Sequence, residues 1–184
     1  VSKAVLISIR PKWCELIANG TKTVEVRKSR PKLHTPFKCY IYCTQGKHLA
    51  FMQNQTGTNL IACMDVTAAI PVGGAIGNGK VIGEFTCDRI YGLAPLNHAP
   101  DDVEQQACLT REEIVRYLNG VGYGWHISDL KIYDKPRELR EFKKINRDCF
   151  YADLGLAKRD CPDCKNSGCF LERPPQSWCC VEEG

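Results

Sequence analysis

The opening residues change their hydrophobic period twice within thirty positions. In Val5-Leu-Ile-Ser-Ile-Arg10 the residues alternate, so that Val5, Ile7 and Ile9 share one strand face and Leu6, Ser8 and Arg10 the other. Trp13, Leu16 and Ile17 then fall at helical spacing. Pro11 suits the first helical position, where its missing N–H would be unpaired anyway, and Gly20 stands where a left-handed C-terminal cap is wanted. From Thr23 the period returns to two: Thr23, Glu25 and Arg27 lie opposite Val24 and Val26. The pattern predicts a strand, a short amphipathic helix and a second strand. Lys22, Glu25, Arg27, Lys28 and Arg30 crowd into nine residues there. A strand that merely pairs in a sheet does not need so much charge, which marks this one as a candidate site.

Further along, Cys39 to Thr44 and Lys80 to Tyr91 read as strands, and Trp125 to Tyr133 as the last core strand. Residues 45–80 have no clear period. They read as a long insertion, with one short element near Leu60 to Val66 and a glycine-rich stretch from Gly73 to Gly79. Leu93 to Cys108 reads as a connecting loop. Thr110-Arg-Glu-Glu113 is a capping box opening a helix with an apolar stripe of Ile114, Val115 and Leu118, ended at Gly120. Pro136 to Lys144 mixes charges without a stripe and is expected to run over the surface. There is no internal repeat.

The run Gly20-Thr-Lys22-Thr-Val-Glu25-Val-Arg27 resembles the G-x-K-x-x-E-x-R signature of the ASCH domains, small β-barrels related to the PUA, EVE and YTH folds. Val81-Ile-Gly-Glu-Phe85 and Gly124 to Pro136 look like later strands of the same family. Pro174-Pro-Gln-Ser-Trp-Cys179 resembles the tail of a subset found in phage and mobile-element proteins of bacteria. The resemblance implies an α+β fold: a PUA-like mixed β-barrel with short flanking helices over residues 1–142, interrupted by the 45–80 insertion. A metal-stapled, cysteine-rich extension would occupy 143–184. Closure into a barrel would leave a cleft at one end. There Lys22, Glu25, Arg27 and the Trp125–His126 strand are expected to converge.

At 184 residues the chain fits one domain with an appendage. No stretch approaches the apolar length of a membrane span, and the opening segment is too short and strand-like for a signal peptide. The expectation is a soluble cytoplasmic protein with no membrane partner. The formal net charge of +4 hides an asymmetry: residues 1–48 hold ten Lys or Arg against Glu15 and Glu25, leaving the remainder at −4. One basic end on a near-neutral chain suits either an anionic partner, most commonly nucleic acid, or a solvated surface with no partner.

Five of the twelve cysteines lie in the last twenty-four residues. Without a secretion signal, metal binding explains them better than a disulfide framework. Cys161-Pro-Asp-Cys164 has the spacing that lets two thiolates from one turn reach one ion. Cys161, Cys164 and Cys169 are therefore expected to ligate a structural Zn²⁺ with a fourth cysteine. The resemblance favours Cys179 for that place, with Cys180 and Cys149 as competitors. Such a site has no open position for a catalytic water. The tail also leaves room for a protein partner.

Three readings compete for the charged strand. It is a surface ladder of little net energy; or a nucleic-acid cleft; or a catalytic site. In the second, Arg10, Lys12, Lys22, Arg27, Lys28 and Arg30 supply phosphate donors, Glu25 adds discrimination, and Trp13 or Trp125, beside His126, offers a stacking face. The ligand would be RNA, single-stranded nucleic acid or a modified nucleotide. In the third, the resemblance to small family members that hydrolyse an acylated cytidine makes Lys22 the key catalytic group, with Glu25 or Glu84 as acid–base partner. Those hydrolases carry threonine where this chain has Glu25, and a glutamate beside Lys22 is expected to keep it protonated. Ser128 and Asp129 fall on opposite faces, so no Ser-His-Asp triad is expected.

Overall fold

The structure, a computed structural model, describes residues 2–45, 49–53, 60–63, 75–93, 99–145 and 170–184. The first strand, β1 (Lys3–Ile9), sends Val5, Ile7 and Ile9 into the main hydrophobic cluster, while Ala4 and Leu6 enter a second one. A strand buried on both faces belongs in the middle of a sheet, and β1 lies between β3 (Phe37–Cys43), parallel to it, and β11 (Trp178–Glu182), antiparallel. The five-stranded sheet continues through β7 (Val81–Cys87) to β10 (Ser128–Arg137), in the order β10-β7-β3-β1-β11. A second sheet has the order β2-β9-β8, from β2 (Val24–Arg27), β9 (Tyr123–His126) and β8 (Ile90–Gly92).

The closed barrel expected from the sequence is not formed: among the described residues the strands make open sheets. The stretch predicted as a single last strand explains the difference. It is interrupted at Ile127; β9 before it pairs with β2 and β8, whereas β10 after it pairs with β7. Asp129 takes a left-handed conformation just beyond the switch, φ 47°. One chain segment thus serves two sheets instead of sealing one.

The predicted insertion holds its own three-stranded sheet, in the order β5-β4-β6. Its members are β4 (Leu49–Gln53), β5 (Leu60–Cys63) and β6 (Ala75–Ile76). The short element expected near Leu60 is β5; β4 and β6 carry no period that would reveal them. Helix α1 (Pro11–Ala18) begins at Pro11 as its sequence demands and turns at Gly20, φ 73°. The stretch predicted as shapeless loop instead contains α2 (Val103–Ala107), ended by Cys108 in the left-handed region. Helix α3 (Arg111–Leu118) opens on the predicted capping box, Glu113 N–H donating to Thr110 Oγ1 at 3.2 Å and Thr110 N–H to Glu113 Oε2 at 2.8 Å. Its buried stripe is Ile114 and Leu118; Val115, assigned to that stripe from spacing, turns outward. Leu139 and Phe142, from the segment expected to run over the surface, enter the second cluster.

The third cluster decides where the site lies. Val24 and Val26 of β2 pack against Leu93, Val103, Ala107, Ile114 and Leu118, so α2 and α3 cover that face. By strand alternation the opposite face must carry Glu25 and Arg27 inward, toward β1 and α1. Among the described residues, no helix is long and apolar enough to cross a membrane.

Candidate nucleic-acid interface

Three charges are buried where β2 meets β1. Lys22, Glu25 and Arg27 expose only 2%, 6% and 7% of their surface. Lys22 is set by the turn after α1, in which the N–H groups of Thr21 and Lys22 both donate to Leu16 O. Its Nζ donates to the carbonyl of Ala107 at the end of α2, 2.6 Å, and lies 3.5 Å from Glu25 Oε2 and 5.0 Å from the centre of the Trp13 ring. Glu25 Oε1 lies 2.9 Å from Arg27 Nη2, which also donates to Ser8 O at 2.7 Å. Arg27 Nη1 donates to Ser177 Oγ at 3.3 Å. Glu25 is therefore the bridge between two cations. Arg27 Nε is buried and has no hydrogen-bond partner among the described residues. The reading of β2 as a solvated surface ladder fails on this burial.

The sequence predicts that Glu25 keeps Lys22 protonated. The opposite effect dominates: burial lowers the Lys22 pKa, and the attraction of Glu25 offsets this only in part. An ion pair removed from water does not reliably add stability, so a gain in stability does not by itself account for a buried Lys-Glu-Arg row.

Above the row opens a cleft of about 510 Å³. Ser8 borders it from β1, Arg10 from the cap of α1, Trp13 from α1, Leu109, Glu113, Arg116 and Tyr117 from α3 and the turn before it, and Gln176 from the segment preceding β11. That segment is tied down by Ser8 N–H donating to Ser177 O, 2.8 Å, and Ser8 Oγ donating to Pro175 O, 2.7 Å. Four cations (Arg10, Lys22, Arg27, Arg116) face two carboxylates (Glu25, Glu113), beside two aromatic rings.

Of the predicted residues, the cleft unites Arg10, Trp13, Lys22, Glu25 and Arg27. Lys12 is exposed beside it, its Nζ 4.9 Å from the Trp13 ring centre. Lys28 and Arg30 line a separate groove. Trp125 does not reach the cleft. It sits opposite Glu25 in the β2–β9 pair, yet its side chain is fully buried in the main cluster, edge-on to Phe37 at 5.8 Å and beside Trp178. The stacking role proposed for it is thereby corrected. His126, one residue on and so on the other face, bonds Asp88 through Nδ1 at 2.6 Å and stands against Tyr91. Glu84 accepts from Tyr133 Oη at 2.6 Å on the β7–β10 pair and does not line the cleft.

Sequence reasoning missed Ala107, Glu113, Arg116, Tyr117, Gln176 and Ser177. Glu113, Arg116 and Tyr117 follow i, i+3, i+4 spacing and share a helix face, a signal that was available. Cys161, Cys164, Cys169 and Cys149 lie outside the described residues. Cys179 is half-buried on β11 against the second cluster, and burial pushes its thiol up to about 11. Among the described residues, no three His, Cys, Asp or Glu side chains group as a metal site.

The family model of the ASCH domain matches residues 7–88. The match takes in the end of β1, α1 and β2, and so the whole Lys22–Glu25–Arg27 row, whereas Arg116, Tyr117 and Gln176 lie beyond it. The chain is similar to the crystal structure of ASCH from Zymomonas mobilis, at 18% identity over 98% of this chain and 88% of that one, with a TM-score of 0.49. A mutant of that protein gives 17% identity, 98% and 89% coverage and a TM-score of 0.50. At such identity the likeness is one of fold. No curated protein matches.

The lowered Lys22 pKa makes a prediction about stability. Between that lowered value and the ordinary 10.5, the unfolded chain holds a proton that the folded chain has released. Stability contributed by this group should therefore rise with pH through that window and be flat below it. Denaturant unfolding of wild type and Lys22→Met across the alkaline range measures it. The difference between the two proteins should grow in favour of wild type as pH rises, and a pH-independent difference would contradict the assignment.

Proposed function

We propose that the ASCH domain of this chain binds nucleic acid by taking one nucleotide of RNA, ordinary or modified, into the cleft over Lys22, Glu25 and Arg27. The observation that carries this reading is the juxtaposition of four cations with Trp13 and Tyr117 in a space of about 510 Å³. That volume falls in the range of small-ligand sites. Exposed Arg10 and Arg116 suit phosphate oxygens, which match the planar guanidinium fork. The aromatic rings suit a base. The unpaired Arg27 Nε supports the same reading, because a ligand oxygen or ring nitrogen would satisfy a buried donor whose isolation costs about 1–3 kcal/mol.

A nucleoside amidohydrolase is the second reading, favoured by one observation: a lysine with a lowered pKa is a better nucleophile or base. Its geometry is less supportive. Lys22 Nζ is committed to Ala107 O, and both Glu25 oxygens are engaged by cations. Glu84 stands elsewhere.

We also propose, from the spacing of Cys161, Cys164 and Cys169 and from the family resemblance at Cys179, that these four cysteines hold a structural Zn²⁺. Metal analysis of the purified protein should find about one zinc per chain, as expected for one four-cysteine site. A ratio well below one with freely reactive tail thiols would remove the idea.

Binding is tested with a twelve-nucleotide single-stranded RNA of mixed sequence. Affinity should fall steeply with salt. Arg10→Ala and Arg116→Ala, both at exposed positions, should each weaken it by about 1–3 kcal/mol, the scale of a charge-assisted hydrogen bond, without shifting the melting temperature. Salt-independent turnover of acetylated cytidine, abolished in Lys22→Ala, with no RNA affinity, would favour the hydrolase.

A further inference from the structure

Beside the cleft runs a second basic feature that the single-nucleotide reading does not use. From Arg27 to Lys38 the chain carries Arg27, Lys28, Arg30, Lys32, Lys38 and His34 and no carboxylate. Lys28, Ser29, Arg30, Lys32 and His34 are exposed, and they line a groove of about 620 Å³ completed by Val121 and Tyr123. Among the described residues, none of the nine that line the groove is acidic. This differs from the cleft, where carboxylates offset half of the cations.

Two cation–ring contacts give the groove a direction. Arg30 lies over Tyr123 at 5.6 Å, within the groove. Lys28 lies over Tyr117 at 5.5 Å, and Tyr117 is a wall of the cleft. The two hollows are thus joined at the Lys28–Tyr117 contact, on the strand end that delivers Arg27 to one and Lys28 to the other. Continuous positive charge with no negative offset and interleaved aromatic rings is the form of surface that follows a single strand, its phosphates on cations and its bases on ring faces.

We propose that the Lys28–His34 groove is a backbone track for single-stranded RNA leading out of the cleft, so that the ligand is a polynucleotide and not a free nucleotide. The inference rests on the cleft reading above and goes beyond it in naming the polymer and its path. An acidic peptide would meet the same cations but has no use for the rings or for a nucleotide cleft at the end of the path.

The test compares wild type, the triple variant Lys28→Ala/Arg30→Ala/Lys32→Ala, and Arg116→Ala. The probes are the mixed-sequence twelve-nucleotide RNA and an equimolar mixture of the four ribonucleoside 5′-monophosphates. All three substituted track positions are exposed, and unchanged melting confirms the fold. The triple variant should bind the RNA at least tenfold more weakly. Its log affinity against log salt should flatten by about two, as expected for three lost phosphate contacts on a single strand. Its mononucleotide binding should equal that of wild type. Arg116→Ala should weaken both. A triple variant that binds RNA with wild-type affinity and slope overturns the track and leaves the cleft standing. Equal weakening for RNA and mononucleotides also overturns it, since the track would then be part of the cleft. A wild-type protein that binds neither probe overturns both readings together.

Discussion

The constraint on which the site depends is the double burial of β2. Val24 and Val26 are held by the helices α2 and α3, so the alternation of the strand drives Glu25 and Arg27 into the space between β2 and β1. Charges placed there must find partners, and each partner they find fixes another element. Ala107 O ties the end of α2 to Lys22, Ser8 O ties β1 to Arg27, and Ser177 Oγ brings in the segment before β11. The row of charges is thus the point at which parts of the chain distant in sequence are brought into register.

This arrangement also separates two kinds of positive charge. Lys22 and Arg27 form a fixed floor whose orientation is settled before any ligand arrives, and Arg10 and Arg116 form an exposed rim. A buried floor acts in a medium of lower effective dielectric than water, where each charge counts for more, while rim charges are screened and chiefly steer approach. Glu25 tempers the floor: without it two cations would repel each other at close range. The segment that matches the ASCH model supplies the floor, and α3 with Gln176 supplies the facing wall.

Much of this was legible in the residues themselves. Pro11, Gly20 and the Thr110–Glu113 capping box act through local backbone chemistry, and the elements they bound form where the pattern places them. The charged face of β2 was legible because alternation is strict over so short a strand. Its burial was not, since nothing local to Lys22 says that α2 will close over it; α2 itself is only five residues long and hidden in an alanine- and proline-containing stretch. Trp125 shows the converse error. An aromatic residue on a strand beside the site invites a stacking role, but its register with Glu25 places it beneath the site, among Phe37 and Trp178. The barrel expectation failed for a similar reason, because the switch at Ile127 from pairing with β2 and β8 to pairing with β7 is a matter of long-range partners, which the period of the strand does not reveal.

The most direct measurement of the central claim is the side-chain NMR signal of Arg27 Nε–H, assigned by its loss in Arg27→Lys, while the protein is titrated with the twelve-nucleotide single-stranded RNA. The account predicts a saturable shift of that resonance and slower exchange of its proton with water, as the unpaired buried donor gains an acceptor. An Arg27 Nε–H signal that stays unmoved at saturating RNA, while resonances elsewhere on the surface respond, would contradict it.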